Sequence, residues 1–426
     1  MVQCFAKKQN RMGIYLQRLL PLTWRYVEIG FVRGVAIVLA LGTSVWTARM
    51  MGPQKMGVSG VLLSFIGPAT LLVVMNQDVQ LIRLFRTADH DEERSRLISL
   101  AVSFRFVACC VLITVGFLAA VFSGTIDLVV IGLLGGALQL IADGNPAYWV
   151  IQALDRSEVQ MRCNALAQLV TASLTFAFIG PATATGYDLL AAGCGAACAN
   201  AVAWSYCASI FRVRAEIKFY HIPRAYLLFK EGKWLFITGG LVYIYTSFDQ
   251  VLVPWLVGIE EFGVYRTALQ INRGVTAFTF IVPMLLYPKL IDKVKLGGDH
   301  LWKAQLAICK KAAIILIPLA CIATIAIVKS YPYIYGPKYE TAAWPCALLV
   351  VSKLVAIGSG VFVWGQWALK RDRLMLLVLG TGALASLVTN IVLIPRTGLI
   401  GAAITNLVIE AGILGAVILT SHPRKP

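Results

Sequence analysis

Apolar runs wide enough for a membrane helix, separated by short polar segments, organise almost the whole chain. A helix needs about 20 apolar residues to cross the hydrocarbon of a bilayer. Only a helix satisfies its own backbone N–H and C=O groups within one such run. The pattern predicts about twelve spans, over 27–48, 57–75, 98–122, 126–150, 160–180, 187–211, 234–256, 264–287, 306–328, 342–368, 374–394 and 399–420. Two are imperfect. The first holds Glu28 and Arg33, and the fourth is interrupted by Asp143-Gly144-Asn145-Pro146, where proline removes a backbone donor and predicts a bend.

Composition agrees with this pattern: 58% of the 426 residues are hydrophobic and only 14% are charged. The net charge of +17 first suggests nucleic acid. No nucleic-acid-binding motif interleaves with the basic residues, so no nucleic acid is expected as a partner. The charge is better read as loop lysine and arginine on the cytoplasmic side. On that side fall Lys7, Lys8, Arg11, Arg18 and Arg25, the loop with Arg83, Arg86, Arg94 and Arg96, and Arg212 to Lys233. The other side holds only Arg49, Lys55, Lys329, Lys338 and Arg396. This asymmetry places both termini in the cytoplasm. The ten cysteines show no zinc or redox spacing and read as small packing residues.

The chain is duplicated. Ala48-Arg49-Met50-Met51-Gly52-Pro53-Gln54-Lys55-Met56-Gly57 returns in altered form as Pro254 to Tyr265, with Gly52 and Gly57 matched by Gly258 and Gly263, an offset of 206 residues. Gln152 to Arg156 likewise matches Trp367 to Arg371, and Gly195 to Asn200 matches Gly401 to Asn406. The reading is therefore an all-α integral membrane protein of about twelve transmembrane helices in two parallel six-helix lobes around a central cavity. The lobes are 1–211 and 234–426, joined by a cytoplasmic linker, 212–233. Six is an even number, so both halves insert the same way round.

These marks carry a family resemblance. Ala48-Arg49-Met50-Met51-Gly52-Pro53 after the first span is one. Phe248-Asp249-Gln250, Gly258 and Gly263-Val264-Tyr265-Arg266-Thr267-Ala268 are another, with Tyr335-Gly336-Pro337-Lys338-Tyr339 and Gly398-Leu399-Ile400-Gly401-Ala402-Ala403 further along. Together, over most of residues 30–420, they resemble the bacterial polysaccharide (O-antigen type) lipid flippases of the multidrug/oligosaccharidyl-lipid/polysaccharide exporter superfamily. The resemblance implies an inner-membrane flippase that moves a polyprenyl-pyrophosphate-linked oligosaccharide from the cytoplasmic to the periplasmic leaflet by alternating access. It implies membrane lipids as surroundings, and a polysaccharide polymerase and a chain-length regulator as companions. Multidrug members of the superfamily usually carry intramembrane acids; here the buried charges are mostly basic, which favours an anionic cargo.

A charge inside a span costs roughly 2.5–3.5 kcal/mol by insertion scales, so it lines a cavity or pairs. Arg33, Asp249, Arg273 and Lys353 are the candidate substrate-binding residues. Asp249 and Arg273 sit on adjacent spans and are expected either to serve cargo or to form a fixed ion pair. Lys353 is expected in the cavity, with pairing to Glu410 as the alternative, and Arg33 either meets the headgroup or snorkels to the interface. Asp143, Asn145 and Glu410 are candidates for gating or cavity lining. The glycine loops are expected to serve only as tight hairpins. The chain has no phosphate-binding loop, zinc helix or nucleophile elbow, and no cofactor is expected. The rival readings are an ion-coupled multidrug exporter of the same fold, a membrane glycosyltransferase or polymerase, and a non-transporting scaffold of polysaccharide assembly.

Overall fold

At Gly52 the chain turns back on itself: its φ of 75° lies in the left-handed region that glycine enters without steric cost. In the computed structural model, which describes residues 2–75, 77–88, 90–154, 156–211, 222–279, 298–369 and 371–421, this turn divides α1 (Val2–Val74) into two arms. The helices α2 (Asp78–Thr87), α3 (Asp91–Phe122), α4 (Ile126–Gly144), α5 (Ala147–Ala153), α6 (Ser157–Phe178) and α7 (Tyr187–Phe211) complete the first lobe. The second lobe holds α8 (Ile222–Ser247), α9 (Asp249–Leu256), α10 (Ile259–Thr279), α11 (Gly298–Tyr335), a 3-10 turn (Pro337–Ala342), α12 (Ala343–Ala368), α13 (Asp372–Thr397) and α14 (Leu399–Ser421). Gly258, the counterpart of Gly52, has φ 123°. The chain is a multi-pass, all-α membrane protein with the twelve-helix, two-lobe fold.

The polar positions explain the details. Most crossings are long and apolar enough to span a membrane on composition alone, but α6 and α10 are not. Both give polar side chains to the space between the lobes. The fourth crossing breaks where expected: α4 ends at Gly144, and the Asn145 side chain accepts the amide N–H of Ala147 at 2.9 Å, capping α5. The seventh is bent by 42° between Phe236–Ser247 and α9. The fourth and sixth crossings pack together in one lobe, and the tenth and twelfth do so in the other, as the duplication requires.

One boundary differs from expectation. Residues 212–221 of the proposed linker lie outside the described residues, but Ile222 already opens α8. Pro223 suits the first turn of a helix, where its missing N–H has no partner to lose, so residues 222–233 belong to the inner end of a crossing. The end of the eighth predicted span, 280–287, also lies outside the described residues.

Buried apolar side chains form one cluster shared by both lobes. It joins Ala48, Met51 and Met56 of α1 to Phe262, Tyr265 and Leu269 of α10, Tyr331 and Tyr335 of α11, and Ala402 and Ala403 of α14. This cluster lies at the end of the molecule that carries Gly52 and Gly258, here called the outer end. Two further clusters, around Trp149 and around Phe362, lie toward the inner end, and each belongs to a single lobe. Among the described residues the lobes are therefore sealed together at the outer end.

Candidate functional site

Beneath the outer seal lies a cavity of about 830 Å³, walled by both lobes. Three arginines line it: Arg33 on the first arm of α1, and Arg266 and Arg273 on α10. Counting back to Gly52 or Ile259 at 1.5 Å per residue, they lie roughly 28, 10 and 21 Å below the outer hairpins. They form a ladder of positive charge running down the cavity. Residues 266 and 273 are seven apart, two helical turns, so they share one face of α10 with Gln270 between them. The rest of the wall supplies two carboxylates, Asp143 and Asp188, and neutral hydrogen-bonding groups, among them Asn164, Gln168, Asn200 and Gln250.

Arg273 is exposed to this space, and its Nη2 donates to Gln250 Oε1 at 3.1 Å. Arg33 is half-buried, with Nη1 set 3.7 Å from Met161 Sδ. Asp143 also lines the cavity; it accepts from Thr70 Oγ1 at 3.1 Å and from Gln139 Nε2 at 3.3 Å. Asn145 is not in the wall, since its side chain is spent on the α5 cap.

The remaining candidates face the interior of the second lobe. Asp249 is buried and is not joined to Arg273: it accepts Tyr265 Oη at 2.6 Å, the Gln250 amide at 3.0 Å and Asn406 Nδ2 at 3.2 Å. Packing against α14 turns it away from the cavity. Lys353, expected in the cavity, is instead buried between α12 and α14, with Nζ 3.9 Å from Glu410 Oε1. Glu410 also accepts from Ser359 Oγ and does not reach the cavity. The reason is physical: two opposite charges at one depth of the bilayer on packed helices lose less by pairing than by standing apart. Arg105 is likewise buried on a pair, with Asp78.

The outer seal is built from backbone contact. A Cβ on Gly57 would lie 1.9 Å from the carbonyl oxygen of Ile259, and one on Gly263 would lie 1.8 Å from that of Pro53. Ile259 and Pro53 are themselves 206 residues apart, so one contact is made twice with the lobes exchanged. These glycines do more than the hairpin turns expected of them. Around them Arg49 Nε donates to Ile334 O at 2.8 Å, Tyr339 Oη to Ala48 O at 2.7 Å, and Tyr243 Oη to Ser64 O at 3.0 Å, all between lobes. Arg266, buried, donates through Nη2 to Asp188 Oδ2 at 2.7 Å and through Nη1 to Met56 O at 2.9 Å. Both of those partners belong to the other lobe.

A family model described as "Polysaccharide biosynthesis protein" matches residues 29–291, more than half of the chain. The chain belongs to this family. No curated protein sequence gives a significant match. Among solved structures, the lipid II flippase MurJ in an inward closed conformation shares the fold with a TM-score of 0.76 at 12% identity, over 92% of this chain and 87% of that one. An inward-facing multidrug resistance MATE family transporter of the MOP superfamily follows with 0.64 and 15% identity, over 92% and 98%. An outward-facing transporter of the same description gives 0.60 and 15%, over 92% of each chain. Within this family member, the cavity between the lobes is the candidate site.

Proposed function

We propose that the protein is a flippase for a polyprenyl-pyrophosphate-linked oligosaccharide, carrying its headgroup from the cytoplasmic to the periplasmic leaflet by alternating access. The observation that carries this reading is the ladder of Arg33, Arg273 and Arg266 in a cavity whose other polar lining is neutral amides and hydroxyls with two carboxylates, Asp143 and Asp188. Guanidinium groups suit a diphosphate, because their fork of donors matches two phosphate oxygens. Asn164, Gln168, Asn200 and Gln250 offer the hydrogen bonds that sugar hydroxyls accept and return. The volume lies near the top of the roughly 300–1,000 Å³ range of small-ligand sites, room for a diphosphate and a short glycan. The polyprenyl chain stays in the bilayer between the lobe edges. The family membership and the shared fold with a lipid II flippase support the same reading.

In this reading the basic inner end faces the cytoplasm of a bacterial inner membrane, both termini are cytoplasmic, and the two six-helix halves, joined through 212–221, rock about the cavity. The cargo then feeds O-antigen or exopolysaccharide assembly, with a polymerase and a chain-length regulator acting on it outside.

The test is transfer of a fluorescent polyprenyl-pyrophosphate sugar across proteoliposome membranes. Arg273→Ala and Arg33→Ala each remove a charged contact of about 1.5–3 kcal/mol, which corresponds to roughly a 10- to 100-fold loss of rate with insertion unchanged. An inert wild type under every ion gradient would defeat the reading.

One observation favours a second reading, an ion-coupled drug exporter: Asp143 is a carboxylate in the cavity wall. For a lipid-linked anion, Asp143→Asn keeps its contacts with Gln139 and Thr70 in amide form and changes the flipping rate by less than about threefold, a difference of under 1 kcal/mol. Loss of all transport in that variant, with cationic dyes carried by the wild type, would move the exporter ahead.

A further inference from the structure

Arg266 holds the lobes together and lines the cavity. We infer that it is an exchangeable anion site. Asp188 occupies its guanidinium while the outer end is shut, and the diphosphate of the cargo displaces Asp188, which frees the seal to open. The inference rests on the proposed function, since it names how that cargo acts on the gate.

Four features of the pair carry it. First, Arg266 lies on α10 of one lobe, and its acceptors Asp188 and Met56 lie on the other, so both bonds must break when the lobes part at this end. Second, Asp188 and Arg266 both face the cavity just beneath the glycine seal, where a headgroup that has climbed past Arg33 and Arg273 arrives.

Third, the pair is incomplete. The Nε of Arg266 and the Oδ1 of Asp188 are buried without a hydrogen-bond partner among the described residues. A guanidinium bound to one carboxylate oxygen through Nη2, with Nε idle, keeps part of its fork in reserve. A diphosphate brings more charge and more acceptor oxygens than a carboxylate, so it can take the whole fork. A buried arginine tolerates losing its carboxylate only if another anion replaces it. Exchange therefore costs little with cargo present and much without it, which ties opening of the outer end to occupancy.

Fourth, the pair is an asymmetric addition to a symmetric seal. At the offset of 206 residues, the counterpart of Arg266 is Gly60 and that of Asp188 is Ile394. Gly60 makes the room: a Cβ there would stand 3.0 Å from Arg266 Cδ and 2.8 Å from the Phe262 ring. The glycine contacts alone close the outer end in both directions of the pseudo-symmetry, and the charge pair adds a response to an anion.

The test uses the full-length protein in nanodiscs, with inorganic pyrophosphate as the probe and amide hydrogen exchange of peptides covering 53–60 and 259–266 as the readout. In the wild type, pyrophosphate should speed exchange of both peptides roughly tenfold, within the usual range of coupling between sites. Asp188→Asn should exchange fast without the probe and respond no further. An uncharged pair, Asp188→Asn with Arg266→Gln, should restore protection through an amide–amide bond and be indifferent to pyrophosphate. Arg266→Lys guards against a merely structural role: the ammonium keeps the pair, so the segment stays protected, but it lacks the fork and needs more probe to open. Unchanged exchange in the wild type at saturating pyrophosphate, or an uncharged pair that still responds, would overturn the inference. If such a preparation still flips lipid-linked sugar, the proposed function survives. If it neither flips nor binds pyrophosphate, both fall.

Discussion

Gly57→Ala is expected to hold the outer end open. The added methyl carbon would stand 1.9 Å from the Ile259 carbonyl oxygen, and that oxygen is backbone, so no rotamer change relieves the overlap. Overpacking of this kind costs about 1–3 kcal/mol where neighbours can move. Here the simplest relief is for the lobes to separate. A bias of about 1.4 kcal/mol already shifts a two-state population tenfold. The reporter is a cysteine in place of Thr47, which is buried in the cavity roof. Among the described residues no cysteine lines the cavity, so a membrane-impermeant maleimide added from the outside reads this position once the labelling of the same protein without the reporter is subtracted. Labelling should rise at least tenfold over the same reporter in the wild type, and Gly263→Ala should match it, because Pro53 O would stand 1.8 Å from its Cβ. Flipping should fall in both variants, since the inward-facing state becomes scarce. Equal labelling of variant and wild type would mean that these glycines do not hold the seal.

Removing one half of the Lys353–Glu410 pair is expected to cost more than any other single change inside the membrane. Each charge is buried about mid-way along its helix, and the pair sits 3.9 Å apart with Ser359 as a further donor to Glu410. Truncating one member leaves the other uncompensated, at a cost of about 3–5 kcal/mol. Lys353→Ala and Glu410→Ala should each sharply lower the thermal midpoint in detergent and the yield of monodisperse protein. Asp249, within electrostatic reach of Lys353, makes the lysine variant the worse of the two. The double variant, Lys353→Met with Glu410→Gln, removes the mismatch and should recover most of the loss. A double variant no better than the worse single one would show that the pair is not an energetic unit. Normal stability with abolished flipping in the single variants would return Lys353 to the cargo path.

The crossings were legible because the bilayer demands them: an apolar run of helix-spanning length has few other uses, and the Gly52 and Gly258 motifs repeat at a fixed offset. The break at Asn145-Pro146 was legible from local chemistry alone. Arg33, Arg273 and Asp143 were found as costly charges, and all three line the cavity. Lys353 and Glu410 were found by the same rule but face each other. Depth along a helix can be counted from sequence, whereas the direction a side chain faces depends on which helices pack beside it.

Arg266 and Asp188 were missed as site residues because each stands close to a span end, where charge is cheap and draws no notice. The usable signal was the spacing of Arg266, Gln270 and Arg273, which puts a polar stripe on one face of a membrane helix. Asp188 gave no such signal. Its importance comes from a partner 78 residues away on the opposite lobe.

The twin contacts of Gly57 on Ile259 and Gly263 on Pro53 have the form of an isologous interface, in which one surface patch meets its own copy across a two-fold axis. A half-length ancestor carrying this patch would assemble with a second identical chain through the same glycines, with no partner to evolve. Within one chain the two copies need not stay identical: Gly60 leaves empty space where the matching position holds Arg266, so a contact with the form of self-recognition carries a polarity that two identical chains could not have.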